Sequence, residues 1–168
     1  PDTLYPALAW CHQQPSAAGG ELRLVAALDE FWIDRGYLHE GRSRLAAALS
    51  RCQTASASHD IVASVEPSPE LVAALRHAGY LAWRQGDGEP AREQLQASAA
   101  LARELQDKRA LTRTMCELQG LAYYEGEYDT AQSCAEEAMV AGKASTDRWT
   151  LATAHLGMGM NLVRTCRY

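Results

Sequence analysis

The chain has 168 residues, of which 47% are hydrophobic and 22% are charged, a balance that excludes a disordered chain and fits one globular domain. Its net charge of −5 argues against direct nucleic-acid contact, which usually requires a basic face. The 30 alanines and 20 leucines, against 6 valines, 2 isoleucines and 1 phenylalanine, favour helices so strongly that a sheet protein is nearly excluded.

The N-terminal third of the chain predicts three helices. Apolar residues recur at helical spacing before the first glycine turn, and Val25, Leu28 and Trp32 share one face. Gly36 then supplies the left-handed backbone that ends many helices. Five residues later, Gly41 is small enough to let the next helix approach closely.

The middle of the chain repeats this pattern. Gly86 and Gly126 are turn glycines 40 residues apart, and each follows a run of residues that resembles the run before Gly36. A small residue, Ala91 or Ala131, again stands five positions after each glycine. Self-similarity at a fixed period indicates stacked helical pairs, each of which buries its apolar face against its neighbours.

Helix caps mark the boundaries in the second half. Ser68, Pro69 and Glu70 combine a cap, a first-turn proline and an acid at a helix N-terminus. Asp107 and Asp147 stand before two further helical runs. No segment predicts a strand, so we expect an all-α superhelix of antiparallel helical pairs. The expected helices cover 3–14, 20–35, 38–52, 69–85, 88–106, 108–125, 128–143 and 147–165.

These helices form one repeat domain in which most units have two helices and the last unit has one. The first two turn glycines are 50 residues apart, which predicts a longer connection rich in Ser, Ala and Pro, with room for a short helical turn at Ile61 to Val65. The chain lacks an initiator Met and stops in mid-pattern, so we expect an excised fragment. The expected division is an N-terminal helix and linker at 1–19, repeat 1 at 20–52, a loop at 53–67, repeat 2 at 68–106, repeat 3 at 107–144, and at 145–168 either the first helix of repeat 4 or a capping helix.

The spacing of small, aromatic and turn residues matches a known repeat. The third unit matches less fully than the second, because Gln119 stands where a small residue is expected. The period of 40 also exceeds the usual repeat length of about 34. The matching residues are Gly79, Trp83, Gly86-Asp87 and Ala91 in the second unit, and Tyr123 or Tyr124, Gly126-Glu127-Tyr128, Ala131 and Ala138 in the third. Through these residues, the chain over 21–168 resembles the tetratricopeptide-repeat family.

The longer form of the repeat resembles the repeats at the C-terminal side of bacterial signal-transduction ATPases and multidomain transcriptional regulators. Residues 1–45, with Leu4, Trp10 and the run from Phe31 to Arg42, also look like the segment by which those regulators pass into their repeats. The resemblance implies a cytoplasmic, non-catalytic sensor or scaffold arm. Its partner would be a protein or peptide, or other domains of its own full-length chain.

No pattern indicates catalysis, a cofactor or a metal. The five histidines lack ligand spacing, and no phosphate loop, nucleophile elbow or dinucleotide fingerprint is present; Gly157 and Gly159 favour close helix packing instead. The five cysteines are odd in number and widely spaced, which favours a reducing compartment. No run of about 18 apolar residues predicts a membrane span, and no secretory signal opens the chain.

The concave surface is the expected binding site, because the resemblance places the first helix of each pair there. Its arginines can pair with carboxylates and stack on rings, and its tyrosines can anchor an interface. Packing is the simpler explanation for Trp83 and Tyr123, and Trp10, Trp32 and Trp149 are expected in the core. The candidate groove residues are Glu30, Asp34, Arg76, Tyr80, Arg84, Arg113, Tyr124 and Arg164, with Ala26, Ile33, Cys116, Gly120, Leu156, Met160 and Val163 beside them.

Three functions stay open at this point. An open groove with exposed arginines and tyrosines would favour a partner that offers an acidic or C-terminal peptide. A closed pocket between units would favour a small-molecule sensor. Self-association into a homodimer would use the apolar face of the last helix, at Leu151, Leu156, Met158, Leu162 and Val163.

Overall fold

The computed structural model describes residues 4–13, 18–57, 67–145 and 147–165. Within these ranges the regular elements are all helices and no strand is present, which confirms the prediction of an all-α chain built from helical pairs. The helices are α1 (Leu4–Gln13), α2 (Ala18–Ala27), α3 (Asp29–Asp34), α4 (Leu38–Ala57), α5 (Pro69–Arg84), α6 (Gly88–Glu104), α7 (Lys108–Glu125), α8 (Tyr128–Ala144) and α9 (Arg148–Thr165).

Short connections arrange the later helices as antiparallel pairs. Two or three residues join each helix to the next between α5 and α8, so each helix must return along its predecessor. α5 packs on α6 and α7 packs on α8, while α6 also contacts α7 and α8 contacts α9. The first helices α5, α7 and α9 contact one another in order. They form a continuous inner layer, and this layer carries the candidate site.

Residues with left-handed backbone end α5, α6 and α7 at equal intervals. Gly86 and Gly126 have φ angles of 85° and 82°, and Gln106, halfway between them, has a φ of 56°. Backbone of this hand ends a helix and suits glycine best. The residue after each of these three donates its backbone N–H five residues back, to the carbonyl of Ala82, Ala102 or Ala122, at 2.9–3.0 Å. The turns between α5 and α8 are therefore built alike.

Small residues let the helices of a pair approach closely. A Cβ on Gly79 of α5 would lie 2.7 Å from Cγ of Leu95, and a Cβ on Gly41 of α4 would lie 2.6 Å from Cγ of Trp32. Ala91 is also fully buried. Any larger side chain at these positions would push the paired helices apart, because protein interiors have little spare volume.

The predicted helix bounds differ from the structure in two places. The helix predicted over 20–35 is interrupted at Leu28, where the Val25 carbonyl accepts the Leu28 N–H at 3.3 Å and the indole N–H of Trp32 at 3.4 Å. The break turns Trp32 into the core. α4 continues to Ala57, so the loop predicted over 53–67 begins later than expected, and the helical turn at Ile61 to Val65 lies outside the described residues.

Two of the three tryptophans predicted in the core are on the surface. Trp32 is fully buried, but Trp10 is 61% exposed and Trp149 is 76% exposed. The prediction was wrong for these two because periodicity marks an apolar face without saying whether that face meets the core or a groove.

Candidate functional site: the concave surface

Three clefts lie along the inner layer of helices. Their volumes are about 430, 370 and 250 Å³, and all three are lined by both Glu30 and Arg76. They extend from α2 and α3 across α5 and α7 to the start of α9. We call this surface the polar cleft and define it by Glu30, Arg76, Arg113, Glu117 and Trp149.

An ion pair between two neighbouring first helices forms the floor of the polar cleft. Arg76 of α5 is paired with Glu117 of α7, and both side chains are largely buried, at 15% and 16% exposure. Arg76 also contacts the buried ring of His77. Sequence reasoning found Arg76 but missed Glu117, although opposite charges one repeat apart on first helices are the signal for such a pair.

Arg113 has weaker polar contacts than Arg76. Its guanidinium lies 3.8 Å from a carboxylate oxygen of Asp147, beyond hydrogen-bond distance, and makes no hydrogen bond to any described residue. The Asp147 carboxylate already accepts bonds from Thr150 Oγ1 at 2.6 Å and Arg109 Nε at 2.7 Å. These bonds, with the Thr150 hydroxyl first, lower the pKa of Asp147 to about 2. Arg113 therefore offers its N–H donors to the cleft.

An apolar wall and an inert thiol complete the polar cleft. Trp149, at the start of α9, lines two of the clefts and is 76% exposed. Cys116 lines the smallest cleft, but burial, assisted by the negative charge of Glu117, raises its pKa to about 12. The thiol stays protonated at neutral pH, so Cys116 is not an activated nucleophile.

Five rings form a row across the C-terminal ends of α5 and α7. Each ring centroid lies 5.7–5.9 Å from the next, and the ring planes meet at 56–87°. Edge-to-face contacts of this kind are favourable for aromatic pairs. We call this set the aromatic row; in order, its members are Tyr80, Trp83, Tyr124, Tyr123 and Tyr128.

An arginine lies at each end of the aromatic row. Arg84 donates from Nη1 to the Tyr80 hydroxyl at 3.1 Å, and its guanidinium lies 5.9 Å from the ring centroid. Arg164 donates from Nε to the Tyr128 hydroxyl at 3.1 Å and lies at the same distance from that ring. Both distances are within the range of a cation–π contact. The row is thus flanked by positive charge on both sides.

A glycine on α7 fixes the second ring of the row, Trp83. A Cβ on Gly120 would lie 2.9 Å from the six-membered edge of the Trp83 indole, so the ring packs directly on the helix backbone. The expected packing role of Trp83 is therefore observed, and the half-buried ring also belongs to the aromatic row. Gly120 stands one position after the place where the repeat pattern calls for a small residue, and this contact explains its presence.

The structure divides most of the predicted groove residues between two surfaces. Asp34 is the exception: it is exposed at the end of α3 and lines none of the three clefts. The remaining residues are Glu30, Arg76 and Arg113 in the polar cleft, Arg84, Tyr124 and Arg164 in or beside the aromatic row, and Tyr80, which borders both.

The apolar surface of the last helix differs from the one predicted. Leu156 and Val163 are exposed as predicted, but Leu151, Met158 and Leu162 are half-buried and so are less available than expected. The exposed stripe instead lies on the side that faces the groove. It consists of Trp149, Leu156, Met160 and Val163, which are 41–76% exposed.

Metal-ligand groups, disulfides and membrane-spanning helices are absent from the described residues. They include no group of three or more His, Cys, Asp or Glu side chains that could hold a metal ion. The four described cysteines are free thiols. None of the described helices combines the length and apolarity needed to cross a bilayer.

Comparison with known proteins supports the fold. No family model matches the chain, and no curated protein matches it. Among solved structures, the crystal structure of BtubC (BKLC) from P. vanneervenii is similar, with a TM-score of 0.76 and 17% sequence identity. The match covers 97% of this chain and 64% of that chain, so the chain spans less than two thirds of its relative. At this identity the likeness concerns the fold alone.

Proposed function

We propose that the chain is a tetratricopeptide-type, non-catalytic binding module that holds an acidic segment of a partner protein on its concave surface. It would serve as the sensor or scaffold arm of a larger bacterial regulatory protein in the cytoplasm. The fold and the repeated turns support the repeat assignment, and the free thiols support a reducing compartment.

The loosely held arginine of the polar cleft carries this proposal. Arg113 has donors to spare, and a guanidinium binds a carboxylate through two parallel hydrogen bonds. Trp149 stands in the same cleft with most of its ring in water, and tryptophan is among the residues that most often anchor interfaces. A segment with an acidic side chain next to an apolar one would satisfy both residues.

The experiment selects binders from a displayed library of random twelve-residue peptides. We expect the selected peptides to be rich in Asp or Glu beside apolar residues. Arg113→Gln should weaken their binding by about tenfold or more, since a hydrogen bond to a charged group contributes about 1.5–3 kcal/mol. Arg148→Gln is the matched control, because it removes the same charge from an exposed residue that lines none of the clefts. Failure to select any binder, or equal binding by the two variants, would contradict the proposal.

Self-association is the second candidate, favoured by the exposed stripe on α9. Contiguous apolar surface on a helix often marks a protein interface. If the stripe pairs two chains, the light-scattering mass should double across a concentration series, and Val163→Glu should restore the monomer mass. The same series on a chain extended past Tyr168 separates a true interface from a face that further residues would cover. A mass that stays monomeric throughout rules this candidate out.

A further inference from the structure

We propose that Arg23 of α2 is a second carboxylate-binding residue of the concave surface, and that the partner segment carries two acidic residues about five positions apart. This inference rests on the proposed function, because it extends the site around Arg113 across α5 to α2.

The largest of the three clefts connects α2 with α7. Its volume is about 430 Å³, and both Arg23 and Arg113 line it. Each of these arginines is the sixth residue of its helix, and α5 packs on both helices. A segment that lies across α5 in this cleft would therefore pass from one arginine to the other.

Small side chains line much of the same cleft. They are Ala26 and Ala27 of α2 and Pro69 and Ala73 of α5. Side chains of this size allow an extended main chain to lie close to the helices. Binding sites commonly combine such an apolar lining with a few polar groups that fix the orientation of the ligand. The two arginines are suited to that second role.

Both arginines have N–H groups that no described residue engages. The nearest contact of Arg23 is 3.7 Å, from Nε to Glu70, and that of Arg113 is 3.8 Å, from Nη2 to Asp147. Both contacts exceed hydrogen-bond distance, and neither arginine donates a hydrogen bond to a described residue. The two side chains are 71% and 40% exposed. A ligand carboxylate can therefore reach each guanidinium and bind it through paired hydrogen bonds.

The other charged residues of the cleft limit where acids can lie. Arg76 also lines the cleft but is already paired with a carboxylate. Glu30 and Glu70 line it as well and would repel further negative charge. A uniformly acidic segment is therefore disfavoured, and acids are favoured only where they meet the two loosely held arginines.

The packing of the helices sets the spacing of the two acids. Neighbouring helices lie about 8–10 Å apart, so the axes of α2 and α7 are separated by no more than about 16–20 Å across α5. An extended segment advances about 3.3 Å per residue and covers this distance in about five or six residues. Beyond Arg113 the segment would meet Trp149, which lines the smallest cleft together with it. The expected pattern is an acid, a second acid about five positions later, and then an apolar residue.

The test is fluorescence anisotropy with two dye-labelled peptides that are isomers of one another and are blocked at both termini. Both consist of serine and threonine with two glutamates, and both have a leucine two positions after the second glutamate. The glutamates are five positions apart in the first peptide and two apart in the second. We expect the first peptide to bind about threefold more tightly, because only it reaches both arginines and an exposed ion pair contributes modestly.

Arg23→Gln should remove this advantage. It should weaken binding of the first peptide about threefold and leave binding of the second unchanged, whereas Arg113→Gln should weaken binding of both. The matched control is Arg35→Gln, which removes the same charge from an exposed residue at the end of α3 that lines none of the clefts. This control should bind both peptides as the unaltered chain does.

Three results overturn the inference. They are equal binding of the two isomers, equal effects of Arg23→Gln and Arg35→Gln on the first peptide, and tighter binding of an eight-glutamate peptide than of either isomer. The last result would show that binding follows net charge and not spacing. If both isomers respond to Arg113→Gln and neither responds to Arg23→Gln, the proposed function stands and the inference about Arg23 falls. Absence of binding by both isomers, where library peptides bind, likewise overturns the inference alone.

Discussion

One hydrophobic core crosses both boundaries between the stacked units of the second half, but the polar contacts across them differ. Ion pairs link the α5–α6 pair to the α7–α8 pair, which we call the charged boundary, whereas buried amides are prominent between α7–α8 and α9, which we call the amide boundary. The first boundary has ion pairs at three places along the helices. One ion pair lies on the concave side, and the other two involve α6. Arg103 donates two hydrogen bonds to the Glu137 carboxylate, at 2.7 and 2.9 Å. The pairs are Arg76–Glu117, Arg92–Glu125 and Arg103–Glu137.

The second boundary relies on neutral side chains. Asn161 of α9 is fully buried, and its amide N–H groups reach Gln132 Oε1 at 2.8 Å and the Tyr128 carbonyl at 3.3 Å. Gln119 of α7 is 5% exposed, and its amide lies 3.4 Å from the Gly157 carbonyl. The ion pairs found across this boundary both use the cap of α9, where Asp147 lies 2.7 Å from Arg109 and 3.8 Å from Arg113.

The positions of the small residues also differ between the two boundaries. Gly79 on α5 makes room within its own pair, whereas Gln119, 40 residues later, points across the boundary. The space it needs comes from Gly157 on α9, where a Cβ would lie 2.7 Å from the Gln119 amide oxygen. The same stacking geometry can therefore carry ion pairs at one boundary and buried amides at the next, and the two boundaries should respond to different perturbations.

The largest expected effect comes from the buried amide of α9. Asn161→Leu should lower the free energy of unfolding by about 2–3 kcal/mol, because the Tyr128 carbonyl and the Gln132 amide lose a partner in a buried place. Urea unfolding followed by circular dichroism measures this. The control Val163→Ala, on the exposed stripe of the same helix, should cost no more than about 0.5 kcal/mol. Similar losses for the two variants would refute the role given to the amide.

A smaller effect is expected at the glycine beneath Trp83. Gly120→Ala should destabilise the protein by about 1–2 kcal/mol, since its Cβ would overlap the indole ring. Gly159→Ala is the matched control on α9, where a Cβ would meet nothing within 4 Å, and it should be neutral or stabilise by up to about 1 kcal/mol. Thermal unfolding of both variants decides whether the first boundary depends on this contact.

Added salt should destabilise the charged boundary more than the amide boundary. Raising sodium chloride to 1 M should weaken the charged boundary by about 0.5–1 kcal/mol, since partly exposed ion pairs are screened. Exchange of backbone N–H groups with solvent should then accelerate in α6 and α7 more than in α9. Uniform acceleration along the chain would contradict the division into a charged and an amide boundary.

The smallest expected effect is acid sensitivity at the cap of α9. Because hydrogen bonds lower the pKa of Asp147 to about 2 from its ordinary 3.8, the folded state favours the ionised form. Its contribution to stability is complete above about pH 4 and is lost as the pH falls towards 2. Hydrogen exchange near Thr150 should accelerate over this interval, and Asp147→Asn should abolish the dependence. An unchanged profile in the variant would assign the acid response to another group.

Much of this architecture follows from the sequence. The turn glycines, the small residues five positions later and the caps at Ser68, Asp107 and Asp147 predicted the helices from α5 onwards to within two residues. These signals are local, because backbone hand and cap chemistry depend on a few neighbouring residues. The break at Leu28 has no such signal, since it arises where the indole of Trp32 reaches back to a carbonyl seven residues earlier.

The site was less predictable than the helices. The resemblance to repeat proteins placed Arg76, Arg113 and Tyr124 on the inner layer. It could not show that Arg76 is paired with Glu117, whereas Arg113 lies 3.8 Å from its nearest carboxylate. That distinction depends on contacts between helices one repeat apart. Trp149 was missed for a related reason, since an apolar side chain at helical spacing fits a core and a groove equally well.

The three left-handed turn residues also have a consequence for how such a chain can change in length. Gly86, Gln106 and Gly126 close three successive helices with the same backbone hand at intervals of 20 residues. Residues 87–126 thus start and finish at equivalent junctions, and an in-frame duplication of this cassette would join one copy to the next through a turn the chain already makes. Because stacked units contact mainly their neighbours, the added unit would extend the array while leaving both ends as they are.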